Sequence, residues 1–222
     1  MTLPHIEIQT TADGSSTLYR PDMDEHYHST NGAITEAEHV YIKHGLFGVK
    51  KSNVSVLEIG FGTGLNAILT YVAANCSHLP VDYTTCELYP LPMETISQLN
   101  YKLPSATEKV FEDLHSCPWN EKYHVSPHFT FTKLHTDLTT LPLSGTYDVV
   151  YFDAFAPEKQ PDMWTEEIFR HIYEQITPGG VLVTYCAKGV IRRMLQSVGF
   201  TTERLPGPPG KREMLRARKA TV

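Results

Sequence analysis

The stretch from Asn53 to Asn75 constrains the fold more than any other part of the chain. VSVLEI (Val54 to Ile59) is a short apolar run, it breaks into Gly60-Phe61-Gly62-Thr63-Gly64, and LNAILTYVAAN (Leu65 to Asn75) then carries helical patterning. Glycines here turn the chain tightly, let a ligand approach the peptide groups, and leave unpaired N–H groups at the start of the helix. A strand entering a helix this way is the first unit of a parallel α/β sheet.

The rest of the chain repeats that alternation. VDYTTCE (Val81 to Glu87), FTFTKLH (Phe129 to His135), TYDVVYFDAF (Thr146 to Phe155) and VLVTYCA (Val181 to Ala187) read as strands. Leu91 to Asn100 and Trp164 to Ile176 read as helices, the latter stopping at Pro178-Gly179-Gly180. Phe200 to Leu205 and Glu213 to Lys219 are strand-like with no helix between them, so the last strand should run antiparallel. Upstream, Ile6 to Thr10 and Ser16 to Arg20 form a hairpin, and Ile34 to Phe47 an amphipathic helix with a Thr35/Glu38 capping box. The expectation is an α/β, Rossmann-like, mostly parallel sheet in residues 51–222, with a small N-terminal hairpin extension in residues 1–50.

The glycine spacing is GxGxG, with Asn66 where a dinucleotide fingerprint has its third glycine. Glu58 beside the turn would repel a pyrophosphate and favours a cationic amino acid moiety. Glu87, twenty-three residues beyond Gly64, falls where an acid meets ribose hydroxyls in the next βα turn. Adenosine joined to an amino acid is the ligand implied, which is S-adenosylmethionine, with Glu58, Gly60, Gly62, Gly64, Asn66, Glu87 and Asp137 as its candidate contacts. Asp137 follows a strand and is placed for the adenine amino group. Tyr19, Tyr27 and Tyr41 are further candidates for lining the pocket.

Composition narrows the setting. With 222 residues, 41% hydrophobic and 20% charged, the chain can bury one sizeable core, and no run approaches a membrane span. MTLPHIEIQT lacks a basic segment followed by an apolar one, and the four cysteines are scattered without a CxxC pair, so a cytoplasmic location is expected. Eleven histidines occur without an HExxH or another ligand spacing, so no metal is expected. The net charge of −6 is uneven: residues 1–187 carry −13 and residues 188–222 carry +7. That basic end is either a solvated face or a polyanion contact.

Three runs, EIGFGTGLN (Glu58 to Asn66), DAFAPEKQPDMW (Asp153 to Trp164) and GKREML (Gly210 to Leu215), resemble the methyltransferase half of the bacterial bifunctional tRNA 5-methylaminomethyl-2-thiouridine biosynthesis proteins. STNGAITEAEHVYI (Ser29 to Ile42) is similar as well, and the resemblance extends from about Tyr19 to Leu215. Ala154 and Gln160 depart from it, standing where the family tends to have Gly and Asn. The resemblance implies a class I fold and methylation of the aminomethyl nitrogen on a wobble uridine. The partner would be the anticodon stem-loop of tRNA, with a separate enzyme system supplying the aminomethyl group. A methyltransferase for a small-molecule or protein amine, and an aminopropyl-type transferase or binding module, are the alternatives.

Methyl transfer to an amine needs collinear geometry and a carboxylate near the nitrogen, where positive charge develops. Asp153, at the C-terminal end of its strand, is the candidate catalytic residue. Phe155, Pro157 and Trp164 are candidates for holding the base, and Lys159, Lys188, Arg192, Arg193, Lys211 and Arg212 for contacting phosphates.

Overall fold

The computed structural model describes residues 5–140 and 144–221, so residues 1–4 of the segment read for a leader lie outside it. The chain opens with three short antiparallel strands, β1 (Glu7–Thr10), β2 (Ser16–Arg20) and β3 (Glu25–His26). The first two are the expected hairpin. Helix α1 (Ala33–Ala37) follows and widens into a π-helical turn over Glu38–Lys43, in place of one regular helix. The predicted capping box does not form, because α1 is capped from a distance. The Asp13 carboxylate, in the β1–β2 turn, accepts from the Thr35 backbone N–H at 3.0 Å and from its hydroxyl at 2.9 Å.

The main sheet begins with β4 (Val54–Ile59), whose apolar residues are sealed on both faces as a central parallel strand requires. Helix α2 (Leu65–Ser77) and β5 (Val81–Glu87) complete the first unit. The helix expected over Leu91–Asn100 shrinks to the single turn α3 (Met93–Ile96), since Pro90 and Pro92 break its start. Helix α4 (Ser105–Ser116) and the edge strand β6 (Lys122–Ser126) were not foreseen. Then come β7 (Phe129–His135), β8 (Tyr147–Phe152), α5 (Glu166–Gln175) and β9 (Ile176–Thr184). Pro178-Gly179-Gly180 therefore lies inside β9, at a register shift against β8, and does not separate helix from strand. Helix α6 (Gly189–Ser197), β10 (Thr201–Pro206) and β11 (Glu213–Arg218) finish the chain.

The eight strands are ordered β10-β11-β9-β8-β4-β5-β7-β6. The five inner strands from β9 to β7 are parallel, and β11 is antiparallel to β9, as expected. β6 adds a second antiparallel edge, giving a Rossmann-like sheet with one more strand than foreseen. From β4 the chain proceeds to β5 and β7 on one side, and from β8 to β9 on the other. The crevice between the C-terminal ends of β4 and β8 is thus the switch point at which open α/β sheets bind ligands.

Candidate active site

A cavity of about 670 Å³ opens at that switch point. Its floor is the glycine turn. Gly60 (φ +91°) and Gly62 (φ +50°) occupy left-handed backbone, and a Cβ on Gly60 would lie 3.1 Å from the Asp153 carbonyl oxygen. A glycine suits both that close approach of β4 and β8 and the left-handed backbone. Glu87, closing β5, accepts from the Gly62 N–H at 3.0 Å and from the Tyr89 N–H at 2.8 Å, which fixes the turn while its carboxylate lines the cavity. Asp137 lines the same wall, with one oxygen taken by the Thr139 N–H and hydroxyl.

Six carboxylates line this space: Glu25, Glu36, Glu87, Asp137, Asp153 and Asp162. Such a lining disfavours a pyrophosphate and suits a ligand carrying a sulfonium and an ammonium. The cavity-lining Asn66, itself buried, has a side-chain oxygen without a hydrogen-bond partner, an acceptor for an incoming N–H. These groups fit S-adenosylmethionine: Glu87 and Asp137 for the nucleoside, Gly60 and Gly62 for close backbone approach, and Asn66 with the acidic wall for the amino acid end.

Asp153 stands directly after β8, facing the cavity. The Tyr41 hydroxyl donates to its Oδ1 at 2.5 Å and Asn66 Nδ2 donates to its Oδ2 at 2.8 Å. Its pKa is pushed up from 3.8 to about 6, because burial outweighs the Tyr41 and Asn66 hydrogen bonds. At neutral pH the group is therefore ionised yet more basic than an ordinary aspartate. The loop after it is held rigidly: the Tyr185 hydroxyl donates to the Ala154 carbonyl at 2.9 Å, and Trp164 Nε1 to the Phe155 carbonyl at 2.7 Å. Gln160 accepts from the Phe155 N–H at 3.2 Å. Phe155 lines the cavity and meets the Tyr27 ring edge-on at 5.0 Å.

Several predicted contacts sit elsewhere. Glu58 points beneath the glycine turn, fully buried and outside the cavity lining, with both oxygens unpartnered. Burial pushes its pKa up to about 8. Gly64 caps α2 behind the lining, with its N–H on the Phe61 carbonyl. Trp164 is core, braced against Phe152 and Phe169, and anchors the loop without facing the cavity. Pro157 is also outside the lining. Tyr27 lines the cavity and Tyr41 meets it only through Asp153, whereas the Tyr19 hydroxyl is spent on Asp24.

The basic end is less free than its charge suggests. Lys188 pairs with Glu158 and Lys159 with Asp24, while Arg216 and Arg218 share Glu203. Among the described residues Arg192, Arg193 and Arg212 form no ion pair. Lys211 enters the cavity, paired with Glu36 and over the Tyr185 ring. Neither Glu36 nor Tyr185 stands out in the sequence, because their roles depend on contacts across the fold. Among the described residues no cluster of three or more His, Cys, Asp or Glu could hold a metal, and no helix is long and apolar enough to cross a membrane.

Residues 105–220, just over half of the chain, match the model of a family described as S-adenosyl-L-methionine-dependent methyltransferase. The tRNA 5-methylaminomethyl-2-thiouridine biosynthesis bifunctional protein MnmC of Cupriavidus metallidurans is 30% identical over 93% of this chain and 33% of its own length. Its counterpart in Cupriavidus necator is 31% identical over 88% of this chain and 32% of its own. The chain thus spans about a third of the length of these curated relatives. The crystal structure of MNMC2 from Aquifex aeolicus superposes with a TM-score of 0.80 at 24% identity, covering 98% of this chain and 71% of that one, a likeness of fold.

Proposed function

Because the chain belongs to the S-adenosyl-L-methionine-dependent methyltransferase family, we propose that it methylates tRNA, on the aminomethyl nitrogen of 5-aminomethyl-2-thiouridine at the wobble position. The names of the relatives support this substrate. The observation that carries the reading is the Asp153 carboxylate, held by Tyr41 and Asn66 in an acidic cavity beside the glycine turn. When bound, S-adenosylmethionine supplies a methyl group already activated by its sulfonium.

Asp153 faces the incoming amine. As the new N–C bond forms, the nitrogen becomes cationic, and the carboxylate stabilises that charge and accepts its proton. Tyr41 and Asn66 fix both oxygens, so Asp153 needs no reorganisation during the reaction. Phe155, backed by Tyr27, supplies an aromatic platform for a splayed-out base. Arg192, Arg193 and Arg212 contact phosphates of the anticodon stem-loop. Lys159 and Lys188 can join them, since ion pairs this exposed are worth little and exchange readily for a phosphate.

Methyl transfer makes no amine, so a separate enzyme system must first place the aminomethyl group on the uridine. Both act where tRNA matures, in the cytoplasm. Residues 1–50 serve as an extension that completes the site on the methyltransferase unit of residues 51–222, through Tyr27, Glu36 and Tyr41. The test is incubation with labelled S-adenosylmethionine and tRNA from cells lacking the modification, followed by nucleoside mass analysis. The expected product is the wobble nucleoside heavier by one CH2 unit. Label transfer to a small or protein amine, with none to tRNA, would refute the proposal.

A further inference from the structure

Lys211 lies beside Arg212 on the loop between β10 and β11, yet its ammonium is turned inward. It donates to Glu36 Oε1 and sits 4.4 Å from the centroid of the Tyr185 ring. Glu36 is buried in α1, and its other oxygen accepts from the Ser29 N–H at 3.0 Å. The loop itself is closed by its own backbone, with the Lys211 N–H on the Pro208 carbonyl at 2.9 Å and the Gly207 N–H on the Arg212 carbonyl at 3.1 Å. Lys211, Glu36, Tyr185 and Asp153 all line the one cavity. A lysine that serves phosphates should be free to leave its partner, whereas this one is held against a buried acid and an aromatic face.

We propose that Glu36 and Lys211 are positioning residues of the methyl-transfer site, a charge pair that sets the basicity of Asp153, and that Lys211 does not serve as a phosphate contact. The proposal rests on the reading of Asp153 as proton acceptor. Every element around Asp153 contributes a group: Tyr41 from the π-helical turn, Asn66 from α2, Glu36 from α1 and Lys211 from the β10–β11 loop. Glu58 of β4 and Tyr185 after β9 feel its charge. Glu36 pushes the Asp153 pKa up and Lys211 pulls it down, so the two members of the pair act with opposite sign on one carboxylate. Both act through space, across the cavity they share with Asp153 and without a hydrogen bond to it.

The experiment is a carbon-13 NMR titration of the aspartate carboxyl carbons, with the Asp153 signal assigned by its absence in Asp153→Asn. In Lys211→Met the midpoint should rise by about one pH unit, and in Glu36→Gln it should fall by about as much. The double variant and the charge-preserving Lys211→Arg should both return near the parent value, which separates a charge effect from a packing defect. The acid limb of kcat/KM should follow these shifts, and the salt dependence of KM in Lys211→Met should keep its slope. Shifts of the same sign, no shift, or a slope reduced by about one would overturn the proposal. Opposed NMR shifts with an unmoved rate profile would uphold the charge pair and overturn instead the role given to Asp153.

Discussion

Two aspartates mark the two ends of strand β8, Asp148 as its second residue and Asp153 just beyond it, and they are treated oppositely. Asp148, at the N-terminal end, is buried and accepts from the Lys51 ammonium at 2.5 Å, the Ser55 N–H at 3.0 Å and the Thr177 hydroxyl at 2.8 Å. Burial raises its pKa, but those three donors outweigh it and the net shift is downward. Asp153, at the other end, is hydrogen-bonded only by neutral groups, and burial prevails. One strand thus carries a carboxylate used as a brace and another kept basic. Burial alone does not decide which: a cation in direct contact holds Asp148 as a brace, and Asp153, proposed as the proton acceptor, has only neutral hydrogen-bond donors among the described residues.

The sharpest way to break this contrast is at Asp153. Asp153→Ala or Asp153→Asn should lower the rate of methyl transfer by about 100- to 10,000-fold while binding of S-adenosylmethionine, followed by calorimetry, survives. Full turnover in either variant would remove the carboxylate from the mechanism. The folded-state pKa of Asp153 lies above its ordinary value, so ionisation costs stability as pH climbs from 3.8 through about 6. Asp153→Asn should therefore be more stable than the parent at pH 7, by about 1–3 kcal/mol, in a denaturant titration.

At the opposite end, Asp148→Ala should destabilise the fold by about 1–3 kcal/mol, with activity per folded molecule retained. Its pKa is depressed, so its contribution to stability is present above the ordinary carboxylate range and lost as pH falls through the folded value. Lowering the pH from 7 should therefore remove turnover near pH 6 while the thermal midpoint still holds its Asp148 contribution. Coincident loss of both would show that the two ends are not independent. The smallest effect belongs to Arg212→Gln, which should raise the KM for tRNA a few-fold and flatten its log–log salt dependence by about one.

The part of this arrangement that could be read from the residues is the part written locally. An apolar run, three glycines and a helical pattern identify β4, the turn and α2, and the aspartate that opens DAFAP at a strand end places Asp153 at the ligand edge. Contacts between distant segments left no such mark. Thr35 looked like the first residue of a capping box, but its N–H is satisfied by Asp13, twenty-two residues earlier. Lys211 read as surface charge because its partner Glu36 is 175 residues away. Helix α4 was passed over because only Thr107, Phe111 and Leu114 of its twelve residues are buried, too thin an apolar stripe between Pro104 and Pro118. Glu58 was assigned to the ligand by its neighbourhood, whereas the alternation of side chains along β4 turns it under the floor.

The contact between Gly60 and the backbone of Asp153 has a further consequence. The Asp153 N–H also bonds to the Ile59 carbonyl at 3.1 Å, so the peptide proposed to receive the methyl donor and the peptide proposed to carry the base share one joint. Even a methyl group added at Gly60 would press on that joint and displace donor and acceptor sites together. Reshaping the pocket for a bulkier sulfonium analogue would have to begin away from that joint, at the wall formed by Asp137 and Thr139.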